Sequence, residues 1–166
     1  MQHSASRTSY QIREAAAGSP IADGLLRRYY ADLVDLLPGG FSAPDAIAAD
    51  PGELTPPRGI FLVVELDDLP AGCAAIRDLG AGAFEIKHMW LDAACRGLGI
   101  GTALVEHLEA FAIAHGATEV RLDCSSHLDA AIRMYERAGY RRVPAYNANP
   151  YADVWFAKSL GVVAPS

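Results

Sequence analysis

Residues 84–115 read FEIKHMWLDAACRGLGIGTALVEHLEAFAIAH. The first part, Phe84 to Leu91, is rich in apolar and aromatic residues and predicts a strand. The last part, Thr102 to His115, puts Leu104, Leu108, Phe111 and Ala112 on one side and Glu106, His107 and Glu109 on the other, as an amphipathic helix does. Between them lies Arg96-Gly97-Leu98-Gly99-Ile100-Gly101. Strand, glycine turn and helix in this order suit an anion. Glycine lets the backbone curl with no side chain in the way, and the free N–H groups and dipole of a helix start attract negative charge. The stretch therefore predicts a phosphate-binding loop.

Spacing excludes two common kinds of loop. A dinucleotide fingerprint requires G-x-G-x-x-G, but after Gly97 and Gly99 the sixth position is Thr102. A P-loop requires Gly-Lys-Ser/Thr, but Gly101 is followed by Thr102 and Ala103. What remains is R-x-x-G-x-G.

Working downstream, Gly116 suits the position just past the helix. Glu119 to Cys124 alternates, with Val120, Leu122 and Cys124 facing one way and Glu119, Arg121 and Asp123 the other. A shorter helix follows, with Ala131, Met134, Tyr135 and Ala138 on one stripe and Gly139 as its stop. Tyr140 to Val143 and Asp153 to Ala157 are candidates for the last two strands. Strand, helix, strand between residues 84 and 124 implies a parallel pair joined by a crossover.

Working upstream, Gly72 to Leu79 and Ile60 to Glu65 are two further strands, and the three form an antiparallel meander. Asp50 to Gly59 is a proline-rich connection, and a short helix is expected near Ala43 to Ala49. Ser19-Pro20 begins a helix carrying Ile21, Leu25, Leu26, Tyr29, Leu33 and Leu37 at helical spacing, stopped by Pro38-Gly39-Gly40. Tyr10 to Glu14 is a first strand. The expected class is α/β (α+β), a single domain over residues 1–166 with one mixed sheet and no internal repeat.

Three segments together resemble the GNAT N-acetyltransferase superfamily: EIKHMWLDAACRGLGIGTALVEHLEAFA, VRLDC, and AAIRMYERAGY, which is similar to that family's A-x-x-x-Y-x-x-x-G-[FY] helix. The resemblance runs from about Ile60 to Leu160. It implies helices on both faces of a sheet whose central strands, Phe84–Leu91 and Glu119–Cys124, splay apart. It implies acetyl-CoA as co-substrate, with the pantetheine arm against main-chain groups of Met89, Trp90 and Leu91. The pyrophosphate would rest on the loop Arg96, Gly97, Leu98, Gly99, Ile100, Gly101 and Thr102. One departure stands out: seven residues before Tyr135, where the family often has a cofactor-binding asparagine, this chain has Leu128. Ser125 or Ser126 is a candidate replacement.

Acetyl transfer from a thioester to an amine requires a proton acceptor for the amine, polarisation of the carbonyl, and protonation or stabilisation of the leaving thiolate. Tyr135 is the candidate acid, since a phenol of pKa about 10 stays protonated at neutral pH. Glu85, Asp123 and His88 are candidate bases: Glu85 on the cofactor strand through a water, Asp123 near the end of its partner strand, His88 by its ordinary pKa of about 6.5. Each also has a plain structural reading, and transfer with water alone as proton carrier stays open. A backbone N–H near Met89 to Leu91 would polarise the carbonyl. Cys124 with His127 is not read as a nucleophilic pair, because a cysteine ending a buried strand is usually a small apolar residue. The segment Pro144-Ala145-Tyr146-Asn147-Ala148-Asn149-Pro150-Tyr151 is either a substrate-facing wall, together with Tyr30 or nearby residues of the first helix, or loop chemistry alone.

The chain has 166 residues, of which 51% are apolar and 20% charged, with a formal net charge of −6. That charge argues against a nucleic-acid binder, which needs a basic face. No apolar run approaches a membrane span, and the N-terminus lacks a signal-peptide core, so the expected location is the cytoplasm. Cys73, Cys95 and Cys124 are widely spaced without a C-x-x-C, giving neither a disulfide framework nor a metal site. The expected protein is an acetyl-CoA-dependent N-acetyltransferase acting on a small-molecule amine. The alternatives are acetylation of a protein N-terminus or lysine, and a non-catalytic acyl-CoA sensor. A homodimer, an acyl chain longer than acetyl and the identity of the amine stay open.

Overall fold

The structure is a computed structural model that describes residues 7–42 and 50–161. In chain order its elements are β1 (Tyr10–Ala15), α1 (Pro20–Leu36), β2 (Gly59–Leu66), β3 (Leu69–Gly80), β4 (Ala83–Leu91), α2 (Ile100–Ala114), β5 (Glu119–Cys124), α3 (Asp129–Arg137), β6 (Arg141–Val143) and β7 (Val154–Ser159). This is the order expected from the sequence. The short helix expected near Ala43 to Ala49 lies outside the described residues. The connection before β2 contains a 3-10 turn over Pro51–Leu54, capped by the Asp50 carboxylate accepting from the Gly52 N–H at 2.8 Å.

One seven-stranded sheet runs β1-β2-β3-β4-β5-β7-β6. β2, β3 and β4 form the expected antiparallel meander, β1 adds antiparallel to β2 at the edge, and β4 and β5 are the parallel pair of the sheet. Pairing between β4 and β5 covers only Ala83↔Glu119, Phe84↔Val120 and Glu85↔Arg121. Beyond that the two strands part.

The residues on the two faces of the sheet explain the layering. β2 is buried on both sides: Ile60, Leu62 and Val64 join the larger core under α2 and α3, while Phe61 and Val63 join a second core under α1. A strand buried on both faces reads as a continuous apolar run, as IFLVV does. α2 contributes Ile100, Leu104, Val105, Leu108 and Ala112 to the larger core, α3 contributes Ile132 and Tyr135, and α1 contributes Ala22 and Leu25 to the other.

The helix ends follow the sequence closely. Ser19 caps α1, its side chain accepting from the Ala22 N–H at 3.4 Å, with Pro20 at the first turn. Helix α2 begins at Ile100, two residues before the apolar periodicity indicates, because Gly99 takes the N-cap in left-handed backbone (φ 75°). Among the described residues no helix is long and apolar enough to cross a membrane.

Candidate active site

Where β4 and β5 part there is a cavity of about 110 Å³. Its walls come from both faces of the sheet. Ile86 to Met89 of β4 and Leu122 to Cys124 of β5, with Ser125 just past its end, form its two sides; Tyr135 and Ala131 reach it from α3; Tyr29, Tyr30 and Leu33 reach it from α1; Asn149 and Tyr151 close it from the loop before β7.

Strand β4 is irregular at this point. Cys73 of β3 pairs with Trp90 and Ala75 pairs with Lys87, so β4 holds one residue more than its partner between these pairs. The bulge falls on His88, which has a left-handed backbone (φ 55°). A bulge turns the strand and re-aims its side chains. Here it puts the imidazole on the cavity wall, edge-on to Tyr30 with centroids 6.5 Å apart. Burial, helped by the positive charges of Lys87 and Arg77, lowers its pKa to about 4. His88 is therefore neutral at pH 7.

Tyr135 is 4% exposed, packed against Tyr140 and Phe156. Its side chain lines the cavity, and its hydroxyl has no hydrogen-bond partner among the described residues, yet no side-chain polar atom there is both buried and orphaned. The hydroxyl therefore opens onto the cavity. Burial raises its pKa well above 10, so the phenol keeps its proton.

Asp123 is on the wall opposite His88. Its Oδ2 accepts from the Asn147 side-chain amide at 2.7 Å and its Oδ1 from the Asn149 amide at 3.1 Å. Asn147 is itself fixed by the Trp155 indole N–H at 2.9 Å. Glu85 is placed differently. It is 1% exposed and off the cavity wall, held by Arg77 at 3.0 Å, Lys87 at 3.7 Å and the Tyr146 hydroxyl at 2.7 Å. With its oxygens committed in this way, Glu85 lies behind the wall and does not line the cavity.

Met89 lines the cavity, and Trp90 and Leu91 follow it along β4. The Trp90 indole is directed away, donating to Asp32 of α1 at 2.7 Å under the Arg28 guanidinium, which also pairs with Asp92. Gly97 and Gly99 are both left-handed (φ 75°), with open space where a Cβ would be. The first amide spent inside α2 is that of Ala103, on the Gly99 carbonyl at 3.1 Å, so the N–H groups of Ile100, Gly101 and Thr102 have no intrahelical acceptor. No side chain caps this helix start. Arg96, Gly97 and Leu98 are exposed beside it. At Gly101 a Cβ would lie 2.4 Å from Met134 Sδ, so this glycine lets α3 pack against the start of α2. Leu128 lines the cavity, Ser125 is buried on its wall, and Ser126 is spent on Asp153 through its N–H and hydroxyl.

Cys124 is buried, and desolvation pushes its thiol up to about 12, which keeps it protonated. Among the described residues no group of His, Cys, Asp or Glu is arranged to hold a metal ion.

The sequence singled out Tyr30, Asp123, His88 and Tyr135, and the fold brings all four to one cavity. Tyr29 and Leu33 fall within the first-helix neighbourhood of Tyr30 without being named for the site, and Phe41 was not singled out at all. Phe41 bridges Tyr30 and Tyr151 with centroids 5.2 and 4.7 Å away, and the Tyr151 hydroxyl bonds the Ser42 main chain at 2.9 and 3.3 Å. The successive tyrosines of α1 were the available signal; nothing in the local pattern marks Phe41.

Residues 26–140 match the family model described as Acetyltransferase (GNAT) family. A Schizosaccharomyces pombe protein described as an uncharacterized N-acetyltransferase is 29% identical over 116 residues, covering 69% of this chain and 71% of that protein. A Klebsiella pneumoniae structure, provisionally assigned as an acyl-CoA N-acyltransferase, superposes with a TM-score of 0.70 at 26% identity, covering 92% of this chain and 98% of that one. An N-acetyltransferase from Thermoplasma acidophilum, crystallised with coenzyme A, shares the fold with a TM-score of 0.70 at 15% identity, covering 92% and 99%.

Proposed function

Because the chain belongs to the GNAT acetyltransferase family and so acts through acyl-CoA, we propose that it transfers an acetyl group from acetyl-CoA directly to the primary amine of a small molecule, both reactants being held across the gap between β4 and β5. One observation carries this: a single cavity collects Tyr135 from one face of the sheet and Asp123 and His88 from the other.

Acetyl-CoA, when bound, supplies an activated acetyl thioester. The chain has groups that fit it. The unspent amides of Ile100, Gly101 and Thr102 and the left-handed Gly97 and Gly99 form a cradle for phosphate, with Arg96 exposed beside it. Strand pairing on the β5 side of β4 ends at Glu85, which leaves main-chain groups from Ile86 to Leu91 for an amide-bearing arm.

Asp123 accepts one proton from the incoming ammonium and passes it to solvent, with the neutral His88 on the opposite wall. The C–N bond forms as the C–S bond breaks. Tyr135 donates its phenolic proton to the departing sulfur and is restored by the second proton lost from nitrogen, so that one proton is released overall. A backbone N–H of the Met89–Leu91 stretch polarises the carbonyl. From behind the wall, Glu85 holds Lys87, which lines the cavity, and the Tyr146 hydroxyl.

A small acceptor is favoured over a protein segment. The Tyr30–Phe41–Tyr151 ring contacts and the Tyr151–Ser42 hydrogen bonds roof the α1 side, where an extended peptide needs an open groove. The test is incubation with acetyl-CoA and a panel of amines, following thiol release. Tyr135→Phe is expected to lower kcat by about 10–1000-fold with acetyl-CoA affinity unchanged. Failure of acetyl-CoA to bind would overturn the proposal, and tight binding without turnover of any amine would favour a sensor.

A further inference from the structure

We propose that the acceptor is a compact amine with one positive charge, a flat apolar body and no carboxylate, anchored by its ammonium on Asp123. This rests on the acetyltransferase reading above and concerns the acceptor side of the same cavity.

The charge balance of the walls points this way. Among the described residues Asp123 has two partners, the neutral amides of Asn147 and Asn149. Lys87, the one cation on the wall among the described residues, is matched from behind: it pairs with Glu85, and Arg77 pairs with Glu53 and Glu85, two cations to two carboxylates. His88 is neutral at pH 7, because burial and the neighbouring Lys87 and Arg77 lower its pKa to about 4. Tyr29, Tyr135 and Cys124 keep their protons, all raised by desolvation. Among the described residues the cavity thus has one excess negative charge and no uncommitted cation to receive a carboxylate. A partly buried carboxylate without a counter-ion is costly, and a substrate ammonium removes that cost. A substrate carboxylate at the same wall would meet repulsion instead.

The amides also fix where that charge lies. One binds each carboxylate oxygen, so the group cannot turn, and lone pairs remain on both oxygens for an ammonium. Asn147 and Asn149 are positioning residues. The α1 side adds the rings of Tyr30, Phe41 and Tyr151 with the aliphatic Leu33 and Leu37, an apolar surface that favours a cation with a flat body over a polyhydroxylated one.

The experiment compares 2-phenylethylamine with phenylalanine, which differs from it by the carboxylate, alongside spermidine and an N-terminal peptide, at saturating acetyl-CoA. The expected kcat/KM for 2-phenylethylamine exceeds that for each of the others by at least about 100-fold. Asp123→Asn is expected to raise its KM at least about 10-fold and to abolish competitive inhibition by the unreactive phenethyltrimethylammonium cation, with acetyl-CoA affinity unchanged by calorimetry. Asn147→Ala should raise KM more than it lowers kcat. Preference for phenylalanine, spermidine or the peptide overturns the inference while leaving the acetyltransferase reading in place. Absence of turnover with every amine overturns it as well, and acetyl-CoA binding by calorimetry then shows whether that reading falls with it.

Discussion

His88 shows how much one residue's surroundings can change its chemistry. As an isolated histidine it looked like a base of ordinary pKa. In the fold it sits on a bulge, desolvated and near two cations, and its pKa falls to about 4. The unfolded chain protonates this residue near 6.5, the folded chain only near 4. As pH falls through that window the unfolded state takes up a proton that the folded state refuses. The residue therefore subtracts stability progressively from pH 6.5 down to about 4 and costs nothing above. The full penalty is at most about 3 kcal/mol. His88→Asn keeps a side chain that tolerates left-handed backbone and removes the titration. Urea denaturation from pH 7 to pH 4 should show a flatter stability profile for the variant; parallel profiles would mean that His88 does not titrate as described. The sequence marked Tyr135 through its helix motif and Asp123 through its place near the end of the strand that partners the cofactor strand. It gave no sign of the bulge, because an extra residue in a strand is visible only against the partner strand.

At the level of elements, the glycine turn and α2 were legible because glycine spacing and apolar period agree with each other. The start of α2 was two residues off, since a left-handed N-cap leaves no mark in the apolar pattern. The close approach of β3 and β4 was less visible. Gly72 pairs with Leu91, and a Cβ there would lie 2.8 Å from the Trp90 carbonyl oxygen and 2.6 Å from Leu91 Cδ2. The first of these is backbone and cannot swing aside. Gly72→Ala must therefore push the end of β4 off β3, toward the gap that opens beside β5. Overpacking of this kind costs about 1–3 kcal/mol. Because the displaced residues are those assigned to the acetyl-CoA arm, affinity should fall together with stability. Chemical denaturation and calorimetry on one preparation measure both. A stability loss with unchanged affinity would separate Trp90 and Leu91 from the cofactor site.

Across the whole molecule, the order of elements was readable from long periodic segments, but the closure of the site was not. Its roof depends on the Tyr151 hydroxyl meeting Ser42, 109 positions earlier, and on two asparagines turning back to Asp123. Contacts of this range leave no local pattern. The sheet itself consists of a four-stranded part, β1 to β4, and a three-stranded part, β5, β7 and β6, joined by three residue pairs near Glu85 and Arg121. A ligand lying in the gap touches both parts and adds a connection exactly where strand pairing stops. Acetyl-CoA at 100 times its Kd should then stabilise the fold by about 2.7 kcal/mol, seen as a raised Tm. Uniform stabilisation would leave the place of binding open, so amide hydrogen exchange is the sharper measurement. Protection should rise at residues 86–91, 97–103 and 122–125 and stay unchanged in β1 and β2, which lie far from the gap in strand order. Protection confined to 97–103 would mean that the phosphates dock while the arm does not enter between the strands, and the transfer geometry drawn here would then have to be abandoned.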